Sequence, residues 1–274
     1  MAWNLTDDVD EFLTGAGDLL RARPVENTVL LTIANTLRRH GPAVYGDDPP
    51  VLGWCEDGAF LRTPPRGALL TAMPPEAAAD LARALKGSAL PSVDGPPPVV
   101  EAFAAEWQRL TGATARVQDA KRLFRLVRLV PPARPPEGRA RVAGPGDRDL
   151  LIDWMTTFER EIGEEPYRIE AFVDDKLSHG GLSLWEVNGV PVSMAGSTRR
   201  EAGMVRVQAV YTPREHRARG FAGAATVAVT QAALDAGATE IVLFTDVHNA
   251  TSNALYQRIG YQPVSDRTTL ELSP

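Results

Sequence analysis

The stretch "VPPARPPEGRA" at residues 130–140 holds four prolines. Each proline fixes φ and removes a backbone donor, so neither a helix interior nor a central strand runs through such a segment. It breaks a chain of 274 residues near its middle. The pieces on either side are each of ordinary domain size, roughly 100–150 residues. The sequence therefore reads as a first domain over residues 1–130, a linker over 131–138 and a second domain over 139–274.

The segments after the linker follow a legible order. "RARVAG" reads as a strand, "DRDLLIDWMTTFERE" as a helix with Asp147 as its N-cap, and "YRIEAFVDDKLSHGG" as a helix stopped by Gly180 and Gly181. "LSLWEV", "VPVSMAGSTR" and "MVRVQAVYT" read as strands, the first two joined by Asn188-Gly189, a strong hairpin signal. A helix over residues 221–236, the strand "EIVLFTD", the helix "ATSNALYQRI" and a closing pair of strands, "YQPVSD" and "TTLEL", complete the half. Before the linker the same order is expected without its first strand, ending on "ARVQDAKRLFRLVRLV" as a strand or strand pair. Two halves with one element order suggest an internal duplication. The expected class is α/β (α+β), each half a mixed, mostly antiparallel sheet flanked by helices.

Bulk properties narrow the function. A formal net charge of −6 argues against a nucleic-acid-binding surface over the whole molecule. The single cysteine, Cys55, reads as a buried thiol in a reducing compartment, with no neighbours at metal-ligand spacing. The acidic "MAWNLTDDVDEFL" start and the lack of a long apolar run point to a cytoplasmic protein with neither signal peptide nor membrane span.

Against that acidic background, "VYTPREHRARGFAGAAT" at residues 210–226 gathers arginines and then turns to glycine and alanine. The first turn of a helix exposes N–H groups without intrahelical partners, and the helix dipole adds positive potential there. An anion is stabilised at such an end, and small residues let it approach the main chain. Gly220, Ala222 and Gly223 meet that need, Arg217 and Arg219 supply charge for a diphosphate, and Arg214 or His216 is placed to reach a further phosphate. Phe221, Ala225, Ala228, Ala232 and Ala236 are expected to form the packed stripe of the helix behind.

On these residues the second half resembles the GNAT superfamily of acyl-CoA-dependent N-acyltransferases. Arg217-Ala218-Arg219-Gly220-Phe221-Ala222 is similar to that family's Q/R-x-x-G-x-G/A signature, and Asn249, Tyr256 and Gly260-Tyr261 to its second block. The resemblance implies acetyl-CoA or another acyl-CoA as co-substrate, and no metal. It implies main-chain amides around Arg217, Ala218, Arg219, Gly220, Phe221, Ala222 and Gly223 holding the pyrophosphate. Val210, Tyr211 and Thr212 would line the pantetheine arm in the manner of an added strand, with Asn249 and Asn253 on its other side. Tyr256 would be the general acid for the leaving thiolate, and a backbone N–H near Val210 would polarise the thioester carbonyl.

The base is open. The strand "MVRVQA" carries no carboxylate, so a water, a carboxylate elsewhere such as Asp246, the nearby His248, or an acceptor arriving neutral would serve. The glutamates of "FEREIGEEP" would line an acceptor site for an amine or polyamine, or lie on a solvated surface. In the first half the corresponding turn, "TAMPPEAAAD", has prolines in place of arginine, and Trp107 stands where the tyrosine would be. The first half is therefore expected to be a degenerate lobe of the same kind, giving two tandem GNAT-like lobes. The expected partner is a small-molecule or peptide amine, with no nucleic acid and no membrane, and with a homodimer as a permitted assembly. The rival readings are an acyl-CoA-binding sensor without catalysis and a scaffold without a small ligand.

Overall fold

The computed structural model describes residues 2–273; Met1 and Pro274, at the outer ends of the two domains drawn from sequence, lie outside the described residues. In chain order the elements are β1 (Asn4–Thr6), α1 (Val9–Ala22), α2 (Thr28–His40), β2 (Val51–Trp54), β3 (Ala59–Arg62), β4 (Ala68–Leu70), α3 (Pro75–Ala84), β5 (Ser92–Gly95), α4 (Pro97–Thr111) and β6 (Thr114–Leu126). Then come β7 (Arg139–Val142), α5 (Arg148–Glu161), α6 (Ile169–Ser178), β8 (Leu182–Val187), β9 (Val190–Ser197), β10 (Met204–Tyr211), α7 (Phe221–Asp235), β11 (Glu240–Asp246), α8 (Ala250–Arg258) and β12 (Tyr261–Ser273). Among the described residues no helix is long and apolar enough to cross a membrane.

The chain forms two compact units, neither continuous in sequence. The first comprises Met1–Leu123, Thr245–His248 and Val264–Pro274; the second comprises Phe124–Phe244 and Asn249–Pro263. Each is a mixed, mostly antiparallel sheet flanked by helices.

In the first unit the strand order runs β1-β2-β3-β4-β5-β12, antiparallel except for β4 with β5. The first strand expected to be missing is present. β1 is three residues long and pairs with β2 from Asn4↔Trp54 to Thr6↔Leu52, too short and polar to show an alternating pattern. The neighbouring Trp3 donates its indole N–H to the Ala77 carbonyl at 3.1 Å and meets Phe60 edge-on. The expected closing pair of strands is one unbroken β12, whose far end pairs antiparallel with β5, Thr268 opposite Gly95 and Leu270 opposite Val93. Leu270 and Leu272 thereby enter the core formed by α3, α4 and the sheet, where Trp107 stacks on Phe103.

A buried arginine fixes that register. Arg267 is 6% exposed. Its guanidinium donates to the Asp94 carboxylate (Nε to Oδ1, 2.9 Å) and to the main-chain carbonyls of Leu70 (3.1 Å) and Asp94 (3.3 Å). Thr269 donates to the second Asp94 oxygen at 3.0 Å. One side chain from β12 thus spans the ends of the parallel pair β4 and β5.

In the second unit the order is β11-β10-β9-β8-β7, with β10 and β11 parallel and the other pairs antiparallel. Asn188 (φ 50) and Gly189 (φ 80) make the β8–β9 turn, as their pairing predicts. Asp147 stands at the N-cap position of α5, but its side chain accepts from no amide of that helix. Its carboxylate turns back to the Gly144 N–H (2.8 Å) and to Arg141, which also holds Glu186 at 2.6 Å, because a guanidinium offers more than a single helix amide. On α7 the packed face is Ala225, Thr226, Val229, Thr230 and Ala233; Ala232 and Ala236 of the expected stripe are exposed, and Ala228 is half-buried. A helix this rich in alanine shows little contrast between faces, so threonines pass for apolar and the register of the stripe is not legible.

Candidate active site

The site in the second unit starts where two parallel strands part. The β10–β11 ladder runs from Met204↔Glu240 to Val207↔Leu243 and goes no further, although β10 continues to Tyr211. On its other side β10 shifts register against β9 between Gln208 and Tyr211, where Ala209 is left-handed (φ 51). Such a bulge turns main-chain groups out of the ladder. Nothing in "VQAVYT" signals it, since alanine carries no preference for that conformation. After the bulge the strand end is tied to β9: fully buried Ser193 donates to the Tyr211 carbonyl at 3.0 Å and shares a 2.9 Å hydrogen bond with the Thr212 hydroxyl. Ser193 is a contributor that pattern reading missed.

The chain then crosses to α7. Ala218 (φ 60) and Gly220 (φ 84, ψ 0) are both left-handed, and Gly220 is the residue from which the helix starts. An alanine in that region is strained by roughly 1 kcal/mol or more, so the turn is held by its surroundings. The Thr212 carbonyl accepts from Arg217 Nε at 2.9 Å, and the Arg217 guanidinium lies 5.8 Å from the Tyr211 ring centroid. The first-turn amides of α7 stand at the end of this loop. Gly223 has another use: it is buried, and a Cβ there would come within 3.0 Å of Leu255 on α8. Its smallness serves helix packing.

The arginines expected to be available for phosphate are occupied by carboxylates. Glu161, the last residue of α5, accepts from Arg214 at 2.9 Å and from Arg217 Nη2. Arg219 meets Glu137 at 3.2 Å and stacks over the Phe221 ring at 4.8 Å. The segment carrying Glu137 is anchored by the Trp185 indole, which donates to the Glu137 carbonyl at 2.9 Å, and Pro136 lies 3.9 Å from where a Gly220 Cβ would stand. Beside Glu161 opens a groove of about 650 Å³ lined by Asp153 and Trp154 of α5, Tyr211 at the end of β10, and Arg214 and Glu215. Tyr211 packs edge-on against Trp154 (6.0 Å) and Phe158 (6.1 Å).

The second motif block lies on α8 and the start of β12. Asn249 caps α8, accepting from the Ser252 N–H at 3.0 Å, and Asn253 donates to the Asn249 carbonyl at 2.8 Å. Tyr256 is 7% exposed, between Phe124 and Tyr261, each at 6.3 Å between ring centroids. Burial pushes its phenol up to about 12. Tyr261 bonds Thr230 at 2.7 Å in the core. Gly260 (φ 103) has its own reason: a Cβ would fall 1.8 Å from the Arg128 carbonyl, with Val127 donating to the Gly260 carbonyl at 3.1 Å. Asp246 and His248 belong to the first unit, where the exposed Asp246 carboxylate accepts from the His248 main-chain N–H at 2.7 Å and closes the loop after β11.

A parallel pair parting at a bulge, a left-handed turn into an alanine-rich helix and a capped helix carrying a buried tyrosine coincide with one family match. The model of the acetyltransferase (GNAT) family fits residues 148–261. This half of the chain carries a GNAT domain. Solved structures extend the likeness in fold. An acetyltransferase of the GNAT family from Colwellia psychrerythraea is similar over 100% of both chains at 10% identity and TM-score 0.63. A Drosophila protein matches 99% of this chain and 98% of its own at 15% identity and TM-score 0.64. A GCN5-related N-acetyltransferase from Sphaerobacter thermophilus matches 88% and 85% at 19% identity and TM-score 0.60. No curated protein matches in sequence. With GNAT-fold neighbours covering its whole length, the chain is built as two tandem GNAT-like lobes, and the family's sequence model falls on the second.

Proposed function

We propose that the second unit is an acyl-CoA-dependent N-acyltransferase that moves an acetyl or other short acyl group onto an amine in a ternary complex. The observation that carries this reading is the GNAT match over residues 148–261 together with the left-handed turn at Gly220, which presents the "RARGFA" main chain at the mouth of α7. That turn fits the diphosphate of the coenzyme, with acetyl-CoA as the donor. The amine lone pair attacks the thioester carbonyl, the N–C bond forms and the C–S bond breaks. In this reading a main-chain N–H beyond the Ala209 bulge, near Val210, stabilises the developing oxyanion.

The thiolate then takes a proton from Tyr256, and the tyrosinate left behind recovers one from solvent. A phenol raised to about 12 stays protonated throughout the physiological range and is able to donate. Tyr256→Phe is expected to leave acetyl-CoA affinity within twofold and to lower kcat by roughly 10²-fold or more. The check is thiol release beside titration calorimetry; equal rates remove Tyr256 from the reaction. The acceptor's proton leaves through water or a groove carboxylate, because β10 itself carries none.

The absence of a carboxylate from β10 also supports a second reading, an acyl-CoA sensor without turnover. The two separate cleanly: a sensor binds CoA but releases no thiol with any amine of a broad panel.

The first unit is proposed to be silent. Pro74 and Pro75 head α3, where a donor-rich turn would be needed, and Arg267 occupies the ends of β4 and β5. Calorimetry is therefore expected to give one acetyl-CoA per chain; a stoichiometry of two overturns the silence of the first unit.

A further inference from the structure

The turn expected to grip a diphosphate already holds an anion of its own. Glu161 sits at the C-terminal end of α5 with its side chain 21% exposed, and its two oxygens engage separate arginines, Arg214 and Arg217. Burial alone would raise its carboxyl, but the paired hydrogen bonds from Arg214 and Arg217 outweigh that and hold it below the usual range, so it is ionised at neutral pH. Arg214 is 79% exposed and Arg217 44%, so the pair is open to solvent and each exposed ion pair is weak. The same carboxylate borders the groove of about 650 Å³ that also contains Asp153 and Glu215.

Two requirements therefore meet at one side chain. A diphosphate carries more charge and more acceptor oxygens than a carboxylate, and it matches the guanidinium fork equally well. When it takes the arginines, Glu161 loses both partners beside a groove that already contains carboxylates. An anion left there without a counter-charge is costly, and a cationic ligand relieves that cost.

Resting on the acyltransferase reading, we propose that Glu161 is an exchangeable counter-anion: a bound coenzyme diphosphate displaces it from Arg214 and Arg217, and the freed carboxylate, with Asp153, holds a positively charged amine acceptor in the adjoining groove. Coenzyme and acceptor are then positively coupled through one residue, and the acceptor class is a cationic amine. Glu137 plays the first half of this role only. It occupies Arg219 from the linker and is not among the groove residues.

Calorimetry on the full chain tests the exchange, with CoA, pantetheine and spermidine as probes. Glu161→Gln keeps the shape and removes the charge. It is expected to bind CoA roughly three- to tenfold more tightly than wild type, the size of two exposed ion pairs no longer displaced. Pantetheine, which lacks the diphosphate, binds both proteins alike. Spermidine binds the wild type more tightly when CoA is saturating, and Glu161→Gln loses that enhancement. Glu137→Gln gains CoA affinity but keeps the spermidine coupling. An unchanged or weakened CoA affinity in Glu161→Gln, with CoA bound by wild type, overturns the exchange and leaves the acyltransferase reading standing. A Glu161→Gln protein that tightens on CoA, beside a wild type whose spermidine affinity does not change with CoA, overturns the hand-over to the acceptor. A wild-type protein that binds no CoA removes the acyltransferase reading itself.

Discussion

Gly220→Asp is expected to abolish acyl-CoA binding while leaving the fold in place. Gly220 is left-handed (φ 84, ψ 0) at the start of α7, a conformation that aspartate tolerates better than most residues. A Cβ has room there, its nearest neighbours being atoms of Pro136 at 3.9 and 4.0 Å. The added carboxylate would face the proposed diphosphate, and like charges in contact cost several kcal/mol. That corresponds to a loss of roughly 100-fold or more in affinity. The measurement is calorimetric titration with acetyl-CoA beside a thermal melt. A variant that melts like the wild type and still binds acetyl-CoA normally would remove the α7 turn from the site.

The second large effect is on stability. Arg267→Met is expected to destabilise the first unit by about 3–5 kcal/mol, because the thioether fills the stem's space but leaves the Asp94 carboxylate without its partner. The Leu70 and Asp94 carbonyls lose a donor in the same step. Urea denaturation of the full chain reads this as an earlier transition for that unit. Arg267→Lys should recover only part of the loss, since one ammonium cannot span the carboxylate and both carbonyls. Pairing Arg267→Met with Asp94→Leu should restore most of it, as removing a buried charge with its partner is nearly neutral. An Arg267→Met protein as stable as wild type would show that β12 holds its register against β5 by apolar packing alone.

Much of this molecule is decided by short-range chemistry and is legible from the residues in order. Asn188-Gly189 has to turn, "RARGFAGAAT" has to open a helix whose start is lined with small and basic residues, and Asn249 caps the helix that carries Tyr256. Those signals depend on neighbours a few positions apart, and they sufficed for most of the element order and for the GNAT resemblance. β1 escaped because three half-polar residues have no period to read, and the α7 stripe because threonine and alanine alternate without contrast.

What the tertiary structure alone decided are the encounters between residues distant in sequence. β12 pairs with β5, and Arg267 reaches Asp94 across 173 positions. The Ala209 bulge appears only when β10 is held between two differently registered neighbours. Glu161 meets Arg217 across 56 positions, which turns a surface-like glutamate into the partner of the turn before α7. Local sequence specifies which backbone shapes are cheap; strand pairing and charge pairing over such separations depend on where the rest of the chain has already been placed.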